Sequence, residues 1–342
     1  MTSSAHLKVG LGLALACWVS FLAPTVSHGQ TSSTPVIGYY SFQAPAGVSL
    51  WTCALTTRKE FQGISTGVTA AATSTVSQSA ATWAPGAFSL HFLEVIEGPW
   101  AGLVLDIISN TGTTVTVQGN LGAAGFNLGP NFRYAIRKHA TLGTIFQGGA
   151  GLNQFDDSVV LLYADGSRRK FFYNGTAPGT IVADDFFTNR NDEIVYPGQG
   201  MLLNCSGPRT ITFGGGEVCY VKDTPTKIPL YAGKVNFVGG MNPVVASDPL
   251  ATVTAVEGSA LASPALGLTD SSLSQYDDLI SVYGRTGGVF TRQGTFFYDR
   301  ARDTIVTTLG QTTAASLPHG TAFTIKPSGD RYLTQPAAVS GH

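Results

Sequence analysis

Paired carboxylates are the first chemistry this sequence offers: Asp156-Asp157, Asp184-Asp185, Asp192-Glu193 and Asp277-Asp278. Glycoside hydrolysis needs two carboxyl groups about 5–9.5 Å apart across a cleft. Neighbours on a strand point to opposite faces, so a sequential pair is not by itself a catalytic pair. The two groups would have to come from different pairs, such as Asp157 with Asp278 or Asp185 with Glu193. A structural expectation competes with this one. Each Asp-Asp of the first and last pairs precedes a strand pattern, where it would cap backbone groups or close a turn.

A second cluster points to a metal. Asp184, Asp185, Asn191, Asp192 and Glu193 crowd oxygen ligands into a short stretch. Calcium takes roughly 6–8 oxygens in flexible geometry, so calcium is the one cofactor the residues allow for, although EF-hand spacing is absent. The histidines are scattered and no Cys-x-x-Cys occurs, which argues against zinc. No glycine-rich phosphate loop is present. Gly63-Ile64-Ser65-Thr66-Gly67 has nucleophile-elbow spacing, but an elbow needs a strand before it, a helix after it and a parallel α/β sheet around it. Trp51, Trp100, Tyr173 and Tyr298 would stack on sugar rings if exposed and build core if buried.

The elements that must position these residues read as strands. Alternating runs rich in Val, Ile, Thr, Phe and Tyr recur along the chain, separated by Gly, Asn, Pro or Asp. Helical periodicity is scarce; residues 69–83 and 270–278 are the best candidates. Three blocks recur in order. Asp156-Asp157 with its apolar run matches Asp277-Asp278, Lys170-Phe171-Phe172-Tyr173-Asn174 matches Thr295-Phe296-Phe297-Tyr298-Asp299, and residues 197–203 match 318–324. Such self-similarity is the mark of a repeated unit. The reading is all-β: two related sandwich or barrel-like units, 45–222 and 226–330, the first carrying an inserted β-meander at about 85–140. Residues 30–44 are expected to be a linker and 331–342 a tail.

Charged residues make up 12% of the 342, with a net charge of −1. A soluble domain usually has about 25% charged residues, and a nucleic-acid binder shows a basic patch or stripe, so no nucleic-acid partner is expected. Residues 1–8 are polar with one cation, 9–23 are apolar or small, and Ser27-His28-Gly29 supplies small residues for cleavage. This is the pattern of a secretory signal, cleaved after Gly29. The apolar run is shorter than the roughly 20 residues a membrane helix needs. A secreted chain with no membrane span after cleavage is therefore expected. In an oxidising compartment Cys205 and Cys219 are the candidate disulfide, with buried free thiols as the alternative.

Ser49-Leu50-Trp51, Glu97-Gly98-Pro99-Trp100-Ala101-Gly102 with Asp106-Ile107, Asn110-Thr111-Gly112-Thr113-Thr114 and His139-Ala140-Thr141-Leu142-Gly143-Thr144-Ile145-Phe146, together with the Asp-Asp and Phe-Phe-Tyr blocks, carry a resemblance. The chain resembles an uncharacterised family of secreted β-rich proteins of verrucomicrobial-type bacteria. That resemblance implies a secreted β protein and brings no activity or catalytic residue. The expected function is a secreted or cell-surface structural or adhesion protein, with polysaccharide or a second copy of itself as partner. A polysaccharide-acting enzyme is the alternative.

Overall fold

A computed structural model describes residues 35–123, 128–163, 165–176, 179–241, 254–255, 278–286, 288–299, 302, 304–311, 316–317, 322–335 and 337. The described chain is nearly all β, and its sheets include a curled half-barrel. The second helix candidate, 270–278, lies almost entirely outside the described residues. The first, 69–83, holds the strand Thr73–Ser77 instead. Its Thr, Ser and Val residues prefer the pleated, half-buried environment that pairing with Thr114–Gln118 provides.

Two five-stranded antiparallel sheets share one strand order. The first runs Thr180–Ala183, Arg168–Asn174, Ser158–Leu162, Gly200–Cys205, Gly47–Thr52. The second runs Thr304–Thr307, Val289–Asp299, Leu279–Thr286, Ala322–Lys326, Asn236–Gly239. Each sheet is accompanied by two short ribbons in matching places. Tyr40–Ala44 pairs Arg209–Phe213 as Thr226–Leu230 pairs Arg331–Gln335. Ala140–Thr141 pairs Ile194–Val195 as Thr254–Ala255 pairs Ser316–Leu317. The expected linker therefore contains a paired strand, Tyr40–Ala44, and the expected tail contains another, Arg331–Gln335. Both are too polar and short to read as strands alone, and their partners lie more than 100 residues away.

The inserted module is larger than the sequence pattern suggests. Its seven-stranded sheet runs Lys59–Ile64, Arg133–Lys138, His91–Val95, Val104–Asn110, Thr114–Gln118, Thr73–Ser77, Gly67–Thr69. It thus begins at Lys59 rather than near residue 85. The module has its own apolar core, including Leu93, Val95, Leu105, Val115, Val117, Tyr134 and Ile136. A separate core under the first five-stranded sheet gathers Trp51, Phe146, Phe171, Met201 and Phe213. The two five-stranded sheets approach closely where side chains are missing. A Cβ on Gly200 would lie 3.0 Å from Ala322 Cβ and 3.1 Å from Phe237.

Asp157 and Asp278 occupy matching positions, and both are buried. Asp157 Oδ1 accepts from the Ser206 N–H at 2.7 Å, and Asp278 Oδ1 accepts from the Ser328 N–H at 3.1 Å. Asp157 also holds Arg209 Nε at 2.8 Å and the Asn153 N–H at 2.8 Å. Burial alone would raise the Asp157 pKa, but these bonds outweigh it and hold the group below its ordinary value. Each carboxylate ties the start of one strand to the residues just after its neighbour, a capping role.

Candidate functional site

The candidate site is a cavity of about 1010 Å³ where the inserted module meets both five-stranded units. The inserted module contributes Trp100, Asp106 and Asn120. The first unit contributes Tyr163, Asp165, Tyr196 and Gln199, and the second contributes Lys227, Tyr231, Lys234, Asn236 and Tyr332. Junctions of modules, lined by aromatics with a few fixed polar groups, are where small-molecule sites form preferentially.

Trp100 reaches this wall because of its turn. Gly98 and Gly102 hold φ of +77° and +88° on either side of it. The Gly102 N–H donates to Val95 O at 2.7 Å, and the Lys227 N–H donates to Gly102 O at 3.0 Å. The turn is thereby hydrogen-bonded to the second unit. The Lys227 ammonium lies 5.6 Å from the Trp100 ring centroid and donates to Thr334 Oγ1 at 2.9 Å. Tyr332 meets the indole edge-on, with centroids 6.1 Å apart. Burial holds Lys227 below its ordinary pKa.

Asp106 is a polar group on the wall with a partner at each oxygen. Tyr196 donates its hydroxyl to Asp106 Oδ2 at 2.7 Å, and His139 Nε2 sits 3.2 Å from Oδ1. The His139 ring is buried between Phe92 and Tyr196, with centroid separations of 4.9 Å and 5.4 Å. Burial pushes the Asp106 pKa upward, yet the bonds from His139 and Tyr196 and the charge of His139 bring it below the ordinary value. The Tyr196 hydroxyl is raised by burial and by the Asp106 charge, so it stays a donor. Tyr231 is raised by burial and by the same charge.

Of the four aromatics singled out in the sequence, Trp100 lines the cavity. Trp51 is buried in the first unit's core, stacked on Phe42 at 3.7 Å and donating to Ser49 Oγ at 2.7 Å. Tyr173 is half-buried against the same core. Neither is an open sugar platform, because the strand that carries each turns it inward. The Tyr298 side chain lies outside the described residues.

In the oxygen-rich loop, turn and strand hydrogen bonds occupy several of the oxygens. Asp185 accepts from the N–H groups of Phe187 and Thr188 at 2.9 and 2.8 Å, and from the Thr188 hydroxyl at 2.5 Å. Those bonds, the hydroxyl first, lower its pKa to about 2. Asn191 Oδ1 accepts from the Ile181 N–H at 2.6 Å. Glu193 accepts from the Tyr163 hydroxyl at 2.5 Å and sits 3.4 Å from Arg169. Asp184 and Asp192 remain exposed. Among the described residues no three His, Cys, Asp or Glu side chains converge. Asp185 and Glu193 are thus each bonded to different partners.

Cys53, Cys205 and Cys219 are free thiols. Cys205 ends a strand opposite Gly47, whereas Cys219 lies beyond the Gly214–Gly216 turn with its carbonyl bonded to the Gly38 N–H. The two cysteines have different neighbours and are not joined. Burial pushes the Cys205 thiol up to about 11 and Cys53 up to about 12, so both are inert thiols at neutral pH. Ser65 sits buried between the successive strands Lys59–Ile64 and Gly67–Thr69 of an antiparallel sheet, with no helix after it, so the elbow spacing forms no elbow.

Tyr196 and Tyr231 carry no sequence motif, Asp106 stands in a short motif that marks it for no chemistry, and composition could not have singled them out. A faint signal existed for Trp100, since a tryptophan inside a Gly-Pro-x-Ala-Gly turn is displayed rather than packed in a strand. No family model, curated protein or solved structure matches this chain. No helix among the described residues is long and apolar enough to cross a membrane.

Proposed function

We propose that this is a secreted or cell-surface adhesion protein that contacts polysaccharide through the junction cavity. The observation that carries the reading is Trp100, held at the cavity wall by a turn bonded to the second unit, with Tyr196, Tyr231 and Tyr332 also on the wall. Aromatic faces with a few polar groups suit sugar rings, which are apolar on one face and rich in hydroxyls at the edge. The signal-like first 29 residues support export. The shared strand order supports two copies of one β unit with a sheet inserted into the first.

The enzyme alternative is weaker on electrostatic grounds. A glycosidase needs one carboxyl kept protonated as the acid. Asp106 is held below its ordinary pKa as described, and hydrogen bonding from Ser167 does the same for Asp165. These are the acids described on the cavity wall, and neither is a proton donor near neutral pH.

The test is a glycan-array screen of the mature chain with calcium and again with chelator, followed by titration of any sugar bound. Trp100→Ala is expected to weaken binding at least about tenfold, the loss of one stacking aromatic. Binding should be indifferent to chelator. If Trp100→Ala binds as the wild type does, the cavity is not the site.

Self-assembly is the second reading, and one observation favours it. Phe187 and Leu309 are 87% and 81% exposed. They stand at turns closed alike in the two units, by Ala183 N–H to Thr188 O and Thr307 N–H to Gln311 O. Sedimentation across a concentration series separates the readings: an assembling chain grows with concentration, and Phe187→Ser should reduce that growth.

A further inference from the structure

We propose that Asp106 sets the ligand class of the junction cavity. It admits a neutral saccharide through the sugar's hydroxyl donors and turns away chains that carry carboxylate or sulfate. The inference rests on the polysaccharide reading and adds which chemistry that polysaccharide must have.

The support begins with geometry. The Asp106 side chain lines the cavity and is 38% exposed. Each of its oxygens has one inward partner, His139 Nε2 at Oδ1 and the Tyr196 hydroxyl at Oδ2. An ionised carboxylate offers about four lone-pair sites, so acceptor capacity remains on the exposed side. With both oxygens anchored, the carboxylate cannot rotate away from the cavity. Two adjacent acceptor oxygens in one plane match two neighbouring sugar hydroxyls.

The second support is the cost of that arrangement. His139 is 1% exposed, and its Nδ1 has no hydrogen-bond partner. A buried polar nitrogen left unpaired works against folding. Its opposite nitrogen contacts Asp106, so the ring holds the carboxylate at the expense of its own satisfaction. A purely structural histidine would gain from pairing both nitrogens.

The third support is the charge around the cavity. Asp165 adds a second anion to the wall. Lys227 is directed to Thr334 and the Trp100 ring, and Lys234 is electrostatically coupled to Asp165. An anionic group placed at Asp106 would meet a fixed like charge, which is how sites exclude a wrong partner.

The experiment measures binding of the full mature chain to soluble neutral glucan, mannan and xylan, and to alginate and a sulfated galactan as the acidic arm. Wild type, Asp106→Asn, Tyr196→Phe and Trp100→Ala are compared, each checked for an unchanged thermal midpoint. The expected result is binding to at least one neutral polymer, weakened tenfold or more by Asp106→Asn and three- to tenfold by Tyr196→Phe. Asp106→Asn should also narrow the gap between neutral and acidic polymers. Tyr196→Phe acts through Asp106, so it should shift the acid limb of the binding–pH profile upward; a merely structural tyrosine would not move it. Should Asp106→Asn prove unstable, Tyr196→Phe and that pH profile still decide the matter. Preference for alginate or the sulfated polymer overturns the proposal. So does neutral binding that Trp100→Ala removes and Asp106→Asn leaves intact, an outcome in which the polysaccharide reading survives. Binding of none of the polymers, or binding untouched by Trp100→Ala, overturns the polysaccharide reading and the proposal with it.

Discussion

Replacing Glu94 with Ala is expected to destabilise the protein by about 3–5 kcal/mol, the loss seen when one partner of a buried ion pair is removed. Glu94 and Lys222 are both fully buried and directly paired. Glu94 Oε2 accepts from Arg137 Nε at 2.7 Å, and Thr224 donates to Oε1 at 2.6 Å. Arg137 reaches on to Asp223 at 3.3 Å, and Asp223 holds Lys59 at 2.6 Å. Glu94, Arg137 and Lys59 belong to the inserted sheet, while residues 222–224 lead into the second unit. The network therefore fixes the inserted module against the segment that joins the units. Without Glu94, the Lys222 ammonium is left buried with only neutral oxygens, at Thr224 and Pro225.

Lys222→Met should cost less, because Arg137 still neutralises Glu94. The double variant, Glu94→Leu with Lys222→Met, should cost less than the sum of its parts by about 0.5–3 kcal/mol. Strict additivity in denaturant titration would mean that the pair is not coupled.

The same network sets an acid limit. Burial would raise Glu94, but the charges of Lys222 and then Arg137 outweigh it and lower its pKa to about 2. An unfolded glutamate titrates near about 4.3. Because the folded value is the lower one, the contribution is fully present above the unfolded value and is lost as pH falls from there toward 2. At about 1.4 kcal/mol per pKa unit the full effect is on the order of 3 kcal/mol. Stability measured from pH 6 to pH 2 should fall along this limb, and Glu94→Gln should flatten it.

Much of the architecture was legible in the sequence, and particular residues show why. The blocks around Asp157 and Asp278 predict capped strand starts, and both carboxylates accept a backbone N–H. Local alternation is enough for such features. Composition counts oxygens and not their partners, so the oxygen-rich loop reads as a richer ligand set than its hydrogen bonds leave. Asp185 spends its lone pairs on its own turn. The cavity was illegible for a different reason. Asp106 and His139 of the inserted module meet Tyr196 only after that module has closed on the first unit, and the short motifs that contain Asp106 and His139 say nothing of that meeting. Glu94 left a clue that local reading passes over: an acid within Phe92-Leu93-Glu94-Val95, a strand buried at every position, must be paired inside.

Gly102→Val is expected to cost about 2–5 kcal/mol and to remove sugar binding as well. Two penalties add. Gly102 sits at φ +88°, where a Cβ costs roughly 1–2 kcal/mol. A Cβ there would also lie 2.6 Å from the Pro225 carbonyl carbon and 2.9 Å from Thr226 N. Those are backbone atoms of a segment fixed by the Lys227–Gly102 hydrogen bond, so no side chain can swing aside, and overpacking of this kind costs about 1–3 kcal/mol. The turn must lift off the second unit, carrying Trp100 from the cavity wall. Gly98 is the control. It has φ +77°, but a Cβ there meets nothing within 4 Å. Gly98→Val should therefore show only the backbone penalty and retain binding. Denaturant titration with sugar titration on both variants separates the two terms. Equal losses in both would mean that left-handed backbone alone matters and that the turn's contact with Pro225 does not hold Trp100 in place. A larger loss in Gly102→Val, with binding lost only there, would tie the assembly of the cavity to the close backbone approach of the inserted turn to Pro225 and Thr226.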